Sequence, residues 1–440
     1  MAGKEQEIDL YEKQLTSARE IGDRSSEGAI LGNLGTAYKN LGEVRKAIEF
    51  YKKSLEIARE FGDRWNEAAA LGNLGDAYYR LGEVNKAIEL NEQDLKIARE
   101  IGDQRDEGIA LGNLGNAYQK IGEVLKAIEF HKRSFAIGHE IGDRSVEGNA
   151  LGNLGVAHAA LGDAIKAIEF YNQAMMFARE IVDRLNEATW LGNLGNAYAD
   201  LGEVRKAIEY HEKALVIDRE IGNRGGETAA LGNLGIAYNK LGEANKAIEL
   251  FEEALVIARE ISDRSSEGAI LGNLGVANKK LGEVRKAIEF YEKALVIDRE
   301  IGNRGDEGVN LGILGNAYGT LGESRKALEF HEKALTIAVE IGDRRNEGTW
   351  LGNLGSDYAN LGEISKAIEF YEKQLVIEQE IGDRRGEGNA LGNLGITYYK
   401  LGKTDKGISQ MKQALTIFQT IESPKAEWAR ERLKEWGVKV

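Results

Sequence analysis

The chain has 440 residues, a net charge of −14, no cysteine and one proline, Pro424. With 42% hydrophobic and 30% charged residues it has the composition of a folded chain and not a disordered one. The missing cysteines exclude disulfides, thiolate metal sites and cysteine nucleophiles, and the acidity argues against unspecific nucleic-acid binding, which needs clustered Lys and Arg.

The charged start, Met1 to Leu10, does not read as a secretory signal. No apolar run approaches the roughly 18 residues a membrane span needs. A cytoplasmic protein without membrane contact is therefore expected. Gln6 to Ile21 reads as an amphipathic helix without a partner, with Tyr11, Leu15 and Ala18 on its apolar face.

A repeat then begins. LGNLG starts at Leu31, Leu71, Leu111, Leu151, Leu191, Leu231, Leu271, Leu351 and Leu391, and LGILG at Leu311, with 40 residues between neighbours. In the first unit Asp23 is placed to cap a helix, with Glu27 adding negative charge to its first turn. Ile30, Leu31, Leu34, Ala37, Tyr38 and Leu41 follow at helical spacing, and Gly42 stops the run. A second stripe is Val44, Ala47, Ile48, Tyr51, Leu55, Ala58 and Phe61, closed by Gly62. Glu43, Lys46, Glu49, Lys52 and Arg59 form its outer face, where exposed ion pairs contribute little. Each unit is thus a hairpin of two helices of about 17 residues. One hairpin cannot bury its own apolar face, but stacked neighbours can.

Glycine inside a helix costs about 1 kcal/mol relative to alanine. Its recurrence at the Gly35 position implies close approach of the two helices, with Ala47 as the small residue opposite, and Gly32 is expected to widen an inner surface. At the end Ser423 should cap a helix with Pro424 in its first turn and Ala426, Ala429, Leu433 and Trp436 on one face. The expected organisation is one all-α solenoid over residues 1–440: a half-unit helix (1–22), ten hairpins (23–422) and a capping helix (423–440).

Leu31, Leu34, Gly35, Tyr38, Ala47 and Tyr51 resemble the signature of the tetratricopeptide repeat (TPR), W-x2-L-G-x2-Y followed by A-x3-F. The tryptophan position is leucine, the terminal proline is absent, and the period is 40 rather than 34. The long period resembles Leu-Gly-Asn-repeat adaptors, kinesin light chains and, above all, the sensor arrays of STAND-type signalling NTPases. The resemblance implies a right-handed superhelix whose first helices line a concave, protein- or peptide-binding groove. It also implies that the LGNLG asparagines bond a partner's backbone: Asn33, Asn73, Asn113, Asn153, Asn193, Asn233, Asn273, Asn353 and Asn393, with Ile313 interrupting the series. Near the ends of the first helices Lys39, Arg80, Lys120, Lys240 and Lys280 favour an acidic partner.

Other motifs carry no chemistry. Gly402-Lys403-Thr404 resembles the end of a phosphate-binding loop, but the required upstream glycine is Thr397. His131, His211 and His331 share the Tyr51 position and read as packing residues, as do Trp65, Trp190 and Trp350. The recurring Asp23-Arg24 pair with Glu27 reads as a cap and not as catalytic carboxylates, because ten copies of a catalytic site are implausible. No enzyme activity, cofactor or metal is expected. The alternative to a binding scaffold is a structural or engineered repeat spacer without a dedicated ligand.

Overall fold

The computed structural model describes residues 2–439, with side chains from residue 6 onward; Met1 and Val440, the outer limits expected for the array, lie outside the described residues. Among these residues there are 22 helices and no strand. Contacts divide the chain into two compact units, Met1–Gly226 and Glu227–Val440. In the first, α1 (Ala2–Ile21) precedes the hairpins α2 (Arg24–Asn40) with α3 (Val44–Phe61), α4 (Arg64–Arg80) with α5 (Val84–Ile101), α6 (Gln104–Lys120) with α7 (Val124–Ile141), α8 (Arg144–Ala160) with α9 (Ala164–Glu180), and α10 (Arg184–Asp200) with α11 (Val204–Ile221).

The boundary falls inside α12 (Arg224–Leu241). The second unit continues with α13 (Ala244–Glu260), α14 (Arg264–Lys280) with α15 (Val284–Ile301), α16 (Arg304–Thr320) with α17 (Ser324–Ile341), α18 (Arg344–Asn360) with α19 (Ile364–Glu380), α20 (Arg384–Lys400) with α21 (Thr404–Thr420), and α22 (Lys425–Glu435). Chain-neighbour helices pack on one another from α1 to α11 in the first unit and from α13 to α22 in the second. First helices of successive hairpins also touch one another, as α2 does α4, α4 does α6, and α18 does α20. Second helices of successive hairpins make no comparable contact among the described residues.

The helices begin and end where the sequence places their signals. The Asp23 carboxylate accepts from the Ser26 amide at 3.0 Å, and Asp63 and Asp183 cap in the same way. Gly62 ends α3 in the left-handed region at φ +65°, where a Cβ would be strained. Val182, Ser262 and Glu422 stand at the same position in their repeats and still adopt φ of +58°, +58° and +51°. The end helix begins at Lys425, with Pro424 at its cap and the Lys425 amide 3.3 Å from Ser423 Oγ. Ala429 and Leu433 are fully buried, and Trp436 stacks on Tyr399.

In eight hairpins the space beside the Gly35 position is filled by an aromatic ring, not by the Ala47 position, and at Gly75 it is filled by Asn91. A Cβ on Gly35 would lie 2.5 Å from the Tyr51 ring, on Gly115 2.4 Å from His131, and on Gly275 2.3 Å from Tyr291. The ring is flat and long, so it needs the missing methyl more than alanine does. In the last hairpin Gly407 replaces the alanine and lies against the Gly395 carbonyl, at 2.8 Å for a Cβ. The Gly32 position serves two purposes. Gly192 and Gly232 face open space, whereas Trp190 and Trp350 of the next hairpin cover Gly152 and Gly312.

The Glu27 position does more than charge a first turn. Glu27 is buried and accepts from Arg19 Nε at 2.8 Å and Arg24 Nη1 at 2.6 Å. Arg24 also reaches Glu60 at the far end of the hairpin, at 3.0 Å. One carboxylate therefore ties the preceding second helix to both helices of its own hairpin. Arg59, read from sequence as an outer-face residue, makes the same bond to buried Glu67. Arg179 and Arg184 hold Glu187, and Arg259 and Arg264 hold Glu267. Burial alone would raise the Glu187 carboxyl, but its two arginines outweigh that and keep it below the usual range. Two joints have one arginine and no second side-chain partner among the described residues. Gln104 leaves Glu107 with Arg99, and Val339 leaves Glu347 with Arg344. These two side chains are 20% and 14% exposed, against 1% for Glu147, which has both Arg144 and His139.

Two outcomes follow. Val182→Gly should raise stability by about 1 kcal/mol, because a β-branched residue leaves the left-handed region; a urea midpoint equal to or below wild type would count against it. Burial pushes His131 and His211 down to about 4, so both are neutral in the native chain. The unfolded imidazoles bind protons from about pH 6.5 downward, so this contribution is full above that pH and is lost as the pH falls toward 4. His131→Phe/His211→Phe, which copies Phe251 in the same position of another repeat, should show a flatter melting temperature between pH 6.5 and 4.5 than wild type. Parallel profiles would remove the explanation.

Candidate peptide-binding surface

The asparagine series stands at the edge of the core. In each hairpin the flanking leucines, such as Leu111 and Leu114, are fully buried. Asn33 is exposed, and Asn73, Asn113, Asn153, Asn193, Asn233, Asn273, Asn353 and Asn393 are half-buried. Asn353 is engaged within the chain: its Nδ2 lies 3.2 Å from Asn316 Oδ1 and 3.5 Å from His331 Nε2. His331 is fixed in turn by Asp357 at 2.6 Å. Among the described residues the other eight amides form no hydrogen bond with the chain. Core packing holds their helices, but no described residue uses their side-chain donors and acceptors.

The predicted cations are not equivalent. Lys39 lies 2.9 Å from Asp76, and Arg80 lies 3.2 Å from the same carboxylate, so one acid neutralises two of them. The Lys280 ammonium rests on the Asn239 carbonyl at the end of α12. Lys120 and Lys240 are exposed and have no ion-pair partner among the described residues. Trp190 and Trp350 are buried as expected. Trp65 is not: it is 63% exposed and lines a small recess with Arg105, Asp106 and Ile109.

The second unit contains a cavity of about 740 Å³ between α18, α19, α20 and α22. Asn353 and Asn393 both line it, so two members of the series share one space. Gln374 and Glu378 form part of its wall, Trp428 lies at one side, and Lys425 reaches Asn389 Oδ1 at 2.7 Å. Gln374 and Glu378 were not singled out from the sequence, though the signal was present. The Glu378 position is alanine in Ala58, Ala98, Ala178, Ala258 and Ala338, and only a comparison of repeats by position exposes the departure.

Helical hairpins stacked in this way form an α-solenoid scaffold for protein interaction. The tetratricopeptide repeat model matches overlapping stretches, 26–100, 66–140, 106–180, 146–220, 186–260, 226–300 and 266–340, and again 346–420. The chain belongs to the tetratricopeptide repeat family. No curated protein matches the sequence.

Among solved structures the chain is similar to a STAND protein with a tetratricopeptide repeat sensor from Pyrococcus horikoshii, at 18% identity and a TM-score of 0.60, over 88% of this chain and 54% of that one. The chain thus spans about half the length of that protein. It is also similar to the quorum sensor NprR from B. thuringiensis (14% identity, TM-score 0.56, 82% of this chain and 99% of that one). A Rap protein complexed with Competence and Sporulation Factor matches at 16% identity and a TM-score of 0.53, over 81% of this chain and 98% of that one. At these identities the similarity is one of fold. Among the described residues no helix is long and apolar enough to cross a membrane.

Proposed function

We propose that this chain is a non-catalytic cytoplasmic scaffold or sensor whose first helices hold an extended or helical segment of a protein partner, gripped through the LGNLG asparagines. The observation that carries the reading is the unused hydrogen-bonding capacity of eight half-buried or exposed amides at one position of successive repeats. A carboxamide offers one acceptor and two donors, which suits a peptide unit of any sequence. The contacts between successive first helices support an inner, more tightly curved face on that side of each unit. Exposed Lys120 and Lys240 favour acidic side chains in the partner. The fold shared with a STAND sensor, a quorum sensor and a Rap protein complexed with a signalling factor supports a sensor role.

The test uses the tightest peptide selected by display against the intact chain. Each backbone hydrogen bond contributes about 0.5–1.5 kcal/mol, so Asn153→Ala/Asn193→Ala should weaken binding by about tenfold with an unchanged melting temperature. Unaltered affinity for several independent peptides would refute the asparagine grip. For acidic peptides, Asp76→Asn frees Lys39 and Arg80 and should tighten binding at low salt, with the gain disappearing at about 500 mM NaCl, where the Debye length is on the order of 4 Å. A gain that persists in high salt would argue against an electrostatic partner.

A further inference from the structure

The cavity in the second unit contains an acid that the fold does not need. Glu378 is 5% exposed and Gln374 7%, and both line the cavity. Glu378 accepts one hydrogen bond among the described residues, from Gln374 Nε2 at a long 3.4 Å. Gln374 Oε1 accepts none. The other two acids at the Glu378 position are better served: Asp218 accepts from Asn223 at 2.7 Å, and Asp298 from Asn310 at 2.7 Å. The carboxylate also depends on missing methyls. A Cβ on Gly386 would lie 2.4 Å from its oxygen, and one on Gly348 2.8 Å. Burial, reinforced by Asp383, pushes the Glu378 carboxyl up, against the pull of Gln374 and Arg345. A buried, poorly bonded carboxylate lowers stability unless something pairs with it.

We infer that this cavity is a side-chain pocket for a basic residue of the bound partner, an arginine or lysine whose cationic tip sits between Glu378 and Gln374 Oε1. The aliphatic stem of such a residue lies along Trp428, as long charged side chains do on apolar surfaces. Asn393, whose side-chain amide forms no hydrogen bond with the described residues, flanks the pocket, so a backbone held there can direct one side chain inward. Arg385 and Lys425 also line the cavity, but both are solvent-exposed and screened, and Lys425 is already bonded to Asn389. They suit an acidic neighbour of the basic residue. The wall prefers a cation because it acts where water is scarce. The inference rests on the peptide-binding reading for its backbone, but the pocket itself can be tested without it.

The probe is N-acetylargininamide, which has a guanidinium and no chain to grip. Added to the intact protein, it should shift the Trp428 indole ¹⁵N–¹H resonance, assigned with Trp428→Phe, in a saturable way. Glu378→Gln should weaken binding at least tenfold while the melting temperature stays level or rises. Gly386→Ala, which crowds the carboxylate without removing it, should weaken binding as well and guards against a misfolded glutamine variant. The neutral isostere N-acetylcitrullinamide should not bind. No saturable shift, equal binding by Glu378→Gln, or tighter binding of N-acetylglutamic acid amide would overturn the pocket. Arginine-amide binding by a chain whose Asn153/Asn193 variant still holds peptides would leave the pocket standing and the asparagine grip refuted.

Discussion

Every joint between hairpins depends on a carboxylate with little access to water. Glu27 and its equivalents lie where a second helix gives way to the next first helix, and an isolated charge there would cost several kcal/mol. Arg19 from one side and Arg24 from the other convert that cost into a geometric requirement. Both guanidinium groups must be in place, so the angle between successive hairpins is set along with the charge balance. Arg24, shared with Glu60, carries the constraint to the end of the hairpin. A repeat protein has no distant contacts to correct an error in one joint, so the carboxylate recurs at every one, with the arginine pair at Glu27, Glu67, Glu187, Glu267 and Glu307.

With the joints set, packing decides which side chains are left for other work. The rings at the Tyr51 position occupy the space opened at Gly35, and the leucines on either side of the asparagine complete the core. The asparagine itself is left at the edge, held by its neighbours but bonded to none of them in most repeats. Positions that vary, such as Thr36, Asp76 and Asn316, then modulate the surface locally: Thr36 bonds the Tyr51 hydroxyl, Asp76 neutralises two cations, and Asn316 engages Asn353. The constant part of each hairpin is structural, and these differences act locally.

Much of this was legible in the residues. The 40-residue period, the aspartate caps and the Gly42 and Gly62 stops gave helix limits that hold to within about a residue, because each signal acts locally. Contacts between helices were harder to read. Ala47 was the obvious small partner for Gly35, yet the nearer group is a ring from four residues further along, which only three-dimensional packing reveals. The role of Arg19 was hidden because its partner is eight residues away across a turn. Of the residues lining the cavity, Asn353 and Asn393 were singled out by their repetition and by the family resemblance. Gln374 and Glu378 were not, since they depart from the repeat and a periodic reading gives them little weight.

Irregularity in the joints has a mechanical consequence. Where Val339 stands in the place of an arginine, Glu347 keeps a single cation and more water, and α18 is tied less firmly to α17. Glu387, one repeat on, has Gln379 at 3.0 Å in place of a guanidinium. Compliance is therefore concentrated on both sides of the cavity. A load applied along this unit would be taken up there first, so the walls of the cavity are also the part of the unit best able to change their spacing.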